Sequence, residues 1–234
     1  MLHGLTARAV GLAAGSPLAR SRRFSRSVGV QPYPGPLTRL GSDYGGWTVP
    51  VDLVRPGSLC YTAGAGTDIT FDVALLEFGC TVHAFDPTPS SIEHVRTQRL
   101  DTTPAFHFHP WAIWTRDGEL RLYAPQIGDS NYSAADLQRT GRGIVVPCRS
   151  LTSIAAELGH ERIDLLKLDI EGAEYEVLGA LLASDLRPRV LAVEFHKTPS
   201  IRPMVTTSRA LRADGYVPVA LRGFDVTFVR DAAP

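Results

Sequence analysis

The stretch LLKLDIEGAEYEVLGALL, residues 165–182, constrains the fold more than any other part of the chain. The run from Ile163 to Ile170 is almost wholly apolar and is broken near its end by Asp169. Glu171 and Gly172 then turn the chain into a helix whose apolar positions recur as Ala173, Val177, Leu178 and Leu181. This pattern reads as a strand buried on both faces that feeds a helix, the unit of a parallel α/β sheet. A buried strand tolerates a carboxylate only at its end. Asp169 is therefore expected at the carboxyl edge of the sheet, where open α/β sheets bind their ligands. Lys167 shares a side of the strand with Asp169 and is expected to pair with a carboxylate, because an unpaired buried ammonium is costly. Glu174 reads as a helix-start carboxylate that the macrodipole favours by about 0.3–1 kcal/mol, and Glu171 suits that role or a site equally.

A second strand-and-turn unit precedes this one. A β-prone run over residues 58–62 ends in Gly64-Ala65-Gly66, and an amphipathic helix follows with Thr67 or Asp68 as its N-cap. Glycines there let the backbone approach a ligand, and the helix start offers N–H groups to an anion. The next strand, CTVHAFDP, ends in Asp86, twenty-two positions after Gly64. That is the spacing of a ribose-binding acid in Rossmann-type folds. A helix is expected over residues 90–100 and a third strand over 105–109. His107 and His109 share a face of that strand and read as half-buried side chains, since metal sites need three or four convergent donors. Trp111 follows, placed to cover an adenine. Residues 118–125 and 143–146 read as short strands around a loop and short helix at 130–137. A helix at 150–159 leads into the central strand. Residues 189–195 form a further strand ending in Glu194 and His196, residues 206–214 a helix, and residues 216–221 and 225–230 a terminal hairpin. The glycines of GSDYGGW, residues 41–47, suit a loop over a ligand or a tight turn packed by Tyr44 and Trp47.

The 24 basic and 24 acidic side chains cancel, and the one visible excess is at the start, where Arg8, Arg20, Arg22, Arg23, Arg26 and Arg39 meet no acid before Asp43. Residues 1–40 are therefore expected to be a flexible basic tail, with QPYPGP at 31–36 as linker, and residues 41–234 a single folded domain. No nucleic-acid partner is expected, and no membrane association, because no apolar run approaches the roughly 18 residues of a membrane span. Cys60, Cys80 and Cys148 are odd in number and widely spaced, which suits reduced thiols in the cytoplasm and no zinc site.

The segments LLKLDIEGAEYEVLGAL, GSDYGGW, YTAGAGTDITFD and HAFDPTP together resemble the FkbM-type family of class I S-adenosylmethionine-dependent methyltransferases, over roughly residues 41–230. The resemblance implies a Rossmann-like α/β fold, a mostly parallel seven-stranded sheet with a C-terminal antiparallel hairpin. It implies S-adenosylmethionine as cofactor and O-methylation of a small-molecule or glycan hydroxyl. Gly64 and Gly66 match its cofactor loop, and Asp86, followed by Pro87, its ribose-binding acid. The acid that many relatives carry before the loop is replaced by Thr62, and the third glycine by Asp68, so the methionine amino group needs another partner, Asp169 or Asp68. His196, Asp169 and Glu194 are the expected catalytic set, with His196 as a metal-free general base and a Mg²⁺ or Mn²⁺ site as the alternative. An NAD(P)-dependent oxidoreductase is a second enzyme reading, weakened because Ile69 stands where the last glycine of G-x-G-x-x-G belongs. A non-catalytic nucleotide-binding module is the third.

Overall fold

A computed structural model describes residues 17–128, 131–136, 139–196 and 200–230. Helix α1 (Pro17–Val28) and the hairpin of β1 (Leu37–Leu40) and β2 (Trp47–Pro50) come first. The chain then alternates strand and helix through β3 (Leu59–Ala63), α2 (Thr70–Glu77), β4 (Thr81–Phe85), α3 (Pro89–Gln98) and β5 (Phe106–His109). Three strands follow, β6 (Ala112–Trp114), β7 (Gly118–Tyr123) and β8 (Gly143–Ser150), and after them α4 (Leu151–Leu158), β9 (Leu165–Leu168), α5 (Glu174–Leu182) and β10 (Val190–Glu194). The chain closes with α6 (Arg202–Ala213), β11 (Tyr216–Arg222) and β12 (Asp225–Arg230).

Seven strands make the main sheet in the order β11-β12-β10-β9-β3-β4-β5, in which only β12 runs antiparallel to its neighbours. The mostly parallel sheet with a terminal antiparallel hairpin is the architecture expected from the sequence. Strand β9 sits at its middle because Leu165, Leu166 and Leu168 are fully buried, which requires cover on both faces. Alternation along the strands sorts the core into two layers. Cys60, Val82, Leu165 and Ala192 pack with Phe71 and Leu75 of α2 and Val95 of α3, while Tyr61, Leu166, Leu168, Leu191 and Val193 pack with α1, α4, α5 and α6. The strand order reverses direction between β3 and β9, and the carboxyl ends of these two strands form the crevice in which such sheets bind ligands.

The strands expected at 118–125 and 143–146 form β7 and β8, which leave the main sheet and pair with β6 in a separate one of order β6-β8-β7. No helix forms over residues 131–136 of the loop between them, while Ser130 and Leu137 lie outside the described residues. Cys60, Cys80 and Cys148 are buried free thiols. No described helix is long and apolar enough to cross a membrane.

The N-terminal segment departs from the expected tail. Residues 1–16 lie outside the described residues, but Pro17–Val28 is helical and Phe24 and Val28 are fully buried in the main core. Phe24 meets Phe195 edge-on at 5.5 Å and Phe224 at 5.6 Å between ring centroids. Two apolar residues four apart are too few to show as a periodic pattern, yet they suffice once tertiary packing supplies an aromatic pocket. Residues 17–40 thus fold with the domain. Replacing Phe24 by alanine is expected to destabilise the protein by about 3–5 kcal/mol, the cost of emptying a buried aromatic site. Denaturant unfolding checks this, and a loss below about 1 kcal/mol would mean that α1 is not part of the core.

Candidate active site

The turn between β9 and α5 builds one wall of the site. Glu171 adopts φ +54° and Gly172 φ +100°. The left-handed conformation at a glutamate is strained, a cost of order 1–3 kcal/mol that persists only where the surroundings enforce it. Here the surroundings are Glu174. Its side chain is fully buried, and Oε1 accepts hydrogen bonds from the backbone N–H of Ile170 at 3.1 Å and of Gly172 at 3.2 Å. The same oxygen lies 2.6 Å from Nδ1 of His196, just beyond β10. Glu174 is therefore the anchor that ties the turn to the neighbouring strand end, more than the helix-start charge read from its position.

Strand pairing brings Asp169, Glu194 and His196 together, as expected for adjacent strand ends. Nε2 of His196 is 3.2 Å from Glu171, 3.8 Å from Asp169 and 3.9 Å from Glu194. Burial by itself would drive the imidazole toward neutrality, but the hydrogen bonds to Glu171 and Glu174 override it and raise the His196 pKa to about 11. His196 is an imidazolium at neutral pH. Glu194 goes the other way, pushed up to about 8 by burial and then by the Asp169 charge, and Asp225, its cross-strand partner on β12, is pushed up to about 6 for the same two reasons. Asp169 stays below the ordinary carboxylate range, since Lys167 and then His196 outweigh its burial. Lys167 pairs with a carboxylate as expected, its Nζ 3.2 Å from Asp169, and it also donates to the carbonyl of Gly64 at 2.5 Å.

Opposite this cluster lies the glycine loop. Gly64 has φ +84°, and a Cβ there would fall 1.7 Å from the carbonyl oxygen of Asp169, so only glycine lets β3 and β9 end side by side. Gly66, at φ +55°, faces open space. Asp86 is buried at the end of β4, where Oδ2 accepts from the Gly66 N–H at 2.9 Å and Oδ1 from the N–H and hydroxyl of Thr88. Asp68 is committed elsewhere: it accepts from the Ser42 hydroxyl at 2.6 Å and from Thr70, pinning the 41–47 segment over the loop, while the N-cap position of α2 falls to Ile69 and not to Thr67 or Asp68. The space between these elements is a cavity of about 540 Å³, lined by Gly64, Gly66, Asp68, Asp86, Asp169, Glu194 and His196 among others. Tyr44 stands at its mouth, 86% exposed.

Three sequence expectations land differently. Trp111 does not line the cavity, because the Arg149 guanidinium covers its ring at 4.4 Å, and Ala112 and Ile113 occupy the wall instead. Pro87 likewise stays out, and Thr88 and Ser90 line the cavity. Thr62 does not leave β3 without an acid, since its hydroxyl donates to the buried carboxylate of Asp72 on α2 at 2.5 Å. Nothing in the helical pattern of α2 marks Asp72, because the residue that needs it is ten positions away. His107 and His109 join His83 in a stack of imidazoles, with His83 at 4.5 and 5.2 Å from them and His160 against its edge. These rings lie outside the cavity lining.

Because the His196 pKa is raised above the value near 6.5 of an unfolded histidine, its proton stabilises the fold fully below that pH, and the contribution is lost as pH rises through about 11. Wild-type stability is expected to fall between pH 7 and 10 with a slope of up to about 1.4 kcal/mol per pH unit from this group, and His196→Gln to flatten that slope. Urea denaturation at a series of pH values measures it, and identical slopes would show that the imidazole is neutral.

Residues 62–218, well over half of the chain, match the family model described as the methyltransferase FkbM domain. The chain is 35% identical over 139 residues to a probable methyltransferase-like protein 24 of Rattus norvegicus, a match covering 58% of this chain and 32% of that protein, so the chain spans about a third of that relative's length. It is 29% identical over 213 residues, 77% of each chain, to the 31-O-demethyl-FK506 methyltransferase FkbM of Streptomyces tacrolimicus. Among solved structures it is similar to a methyltransferase FkbM from Methylobacillus flagellatus KT, at 15% identity and a TM-score of 0.47 over 74% of this chain and 43% of that one. The sheet order, the glycine loop with its strand-end acid and the match over residues 62–218 agree: this chain belongs to the FkbM methyltransferase domain family.

Proposed function

We propose that this chain transfers a methyl group from S-adenosylmethionine to a hydroxyl oxygen of a sugar, glycan or natural product. The observation that carries the reading is the charge of the cavity. Carboxyl groups of Asp169, Glu171, Glu194 and Asp225 line it together with two cations, Lys167 and His196, and a fifth carboxyl group, Glu174, holds His196 from behind. An acid-rich surface favours a ligand that carries a sulfonium and an ammonium group. It disfavours the pyrophosphate of a nicotinamide dinucleotide, which would face the same carboxylates. The residues present fit the cofactor. Asp86 Oδ2 has a lone pair left for a ribose hydroxyl, the space beyond Gly66 is open, and Asp169 is better placed than the committed Asp68 to meet an amino group.

Bound there, S-adenosylmethionine supplies an already electrophilic methyl group. The protein's own residues have to align the acceptor oxygen and remove its proton. Glu194, with a pKa near 8, is matched to a base that works close to neutrality. His196, held as an imidazolium, is a positioning residue that keeps Glu171 and Asp169 in place, and this replaces the base role expected from the sequence. Asp169, Glu194 and His196 bring ligand-capable atoms within 4.8 Å of one another, but an Nε2–H turned toward Glu171 donates a hydrogen bond in place of binding an ion, so the reading keeps transfer metal-free. The exposed ring of Tyr44, on a loop pinned by Asp68, supports an acceptor with a face to stack on, as a sugar has.

Asp86→Ala is expected to weaken S-adenosylmethionine binding by on the order of 1.5–3 kcal/mol, the worth of a charge-assisted hydrogen bond, measured by titration calorimetry. Unchanged affinity in a folded variant would take Asp86 out of the pocket. Transfer rates should rise with pH through about 8 as Glu194 loses its proton. Glu194→Gln should cost about 10²–10⁴-fold in turnover with cofactor affinity retained. His196→Gln should stay active with its profile shifted to higher pH, because the cation that favours the Glu194 carboxylate is gone. Full turnover by Glu194→Gln, or activity lost to EDTA and restored by Mg²⁺ or Mn²⁺, would overturn the metal-free base.

A further inference from the structure

Helices α1 and α6 are far apart in sequence and adjacent in space. Nη1 of Arg212 donates to the carbonyl of Val28 at 3.3 Å and locks the end of α1 against α6. Neither helix contains an aspartate or a glutamate. Arg22 and Arg26 lie four apart on the pole of α1 opposite the buried Phe24 and Val28, with Arg23 beside them. On α6 the buried side is Met204, Ser208 and Leu211, and Arg202, Arg209 and Arg212 form a stripe away from it. All six arginines are exposed, and among the described residues Arg22, Arg23, Arg26, Arg202 and Arg209 make no ion pair with a carboxylate. In a chain of zero formal net charge this is a concentrated cationic face.

The shape and charge of that face identify its partner. The arginines are spread over two helices packed side by side, a broad surface in place of a groove. Single-stranded nucleic acid readers interleave aromatic rings with their cations, and the one exposed aromatic among the large apolar side chains of the described residues, Tyr44, stands at the cavity instead. Six exposed basic side chains on the polar faces of two amphipathic helices suit the phosphate headgroups of an anionic lipid layer, each contributing about 1 kcal/mol near such a surface. We propose that the α1–α6 face docks this protein on a bilayer surface rich in anionic phospholipid. The face carries none of the groups assigned to the cavity, so the proposal stands or falls apart from the methyl-transfer reading.

Sedimentation of the full chain with vesicles decides it. Phosphatidylcholine vesicles with about 30% phosphatidylserine should bind the protein, pure phosphatidylcholine vesicles should not, and binding should fall as salt shortens the Debye length. Each of Arg22→Gln, Arg26→Gln and Arg209→Gln should weaken binding about fivefold and the three together about a hundredfold, at unchanged melting temperature. Should the triple variant fail to fold, the single variants carry the test. Equal binding to both vesicles, no binding to either, or undiminished binding by the variants would overturn the proposal. Tighter binding to a duplex or single-stranded oligonucleotide at the same salt, lost in the same variants, would assign the face to nucleic acid and overturn it equally.

Discussion

The site depends on one buried carboxylate. Glu174 has no exposed surface, and a single oxygen of it holds two backbone N–H groups of the β9–α5 turn and the imidazolium of His196. A buried pair of this kind adds little net stability over an apolar substitute, but removing one partner leaves the other charged and costs about 3–5 kcal/mol. That asymmetry explains how the arrangement persists. The turn, including the left-handed Glu171, cannot relax without exposing or orphaning Glu174, whose second oxygen already lacks a partner among the described residues.

The acidities of the neighbouring carboxyl groups turn on Asp169 being charged. Against its burial, the ammonium of Lys167 and then the proton of His196 hold Asp169 ionised, and burial together with the ionised Asp169 disfavours charge on Glu194 and Asp225. Two carboxyl groups a few ångströms from one another are thus driven apart in acidity by their neighbours, one kept as a fixed charge and one poised near neutral pH. Environments that separate titratable groups in this way are the usual means by which a fold assigns one to a fixed electrostatic role and another to proton transfer.

Close approach of backbones sets the other wall. Gly64 is the point where β3 and β9 meet, and the same contact lets Lys167 reach across to the Gly64 carbonyl. Asp86 and Asp68 each serve the scaffold as well as the cavity, the first by holding the Gly66 N–H and the second by holding the 41–47 segment. The loop is preorganised by the acids that face the ligand space, so its shape does not wait on a ligand.

Local pattern determined the strands and helices of the sheet, the terminal hairpin, and the positions of Asp169, Asp86, Gly64 and Gly66, because burial at period 2 or 3.6 and the turn chemistry of glycine are written within a few residues of each feature. The protonation of His196 was not legible, because it depends on Glu171 and Glu174, more than twenty positions away, and a histidine alone suggests a base. Nor were Asp72 beneath Thr62, Arg149 over Trp111, or Phe24 in its aromatic pocket, each a contact between elements that the sequence separates. The arginines of α1 and α6 were visible as residues, but that they share one surface was decided by the tertiary structure, since charge adds up in space and composition counts it only along the chain.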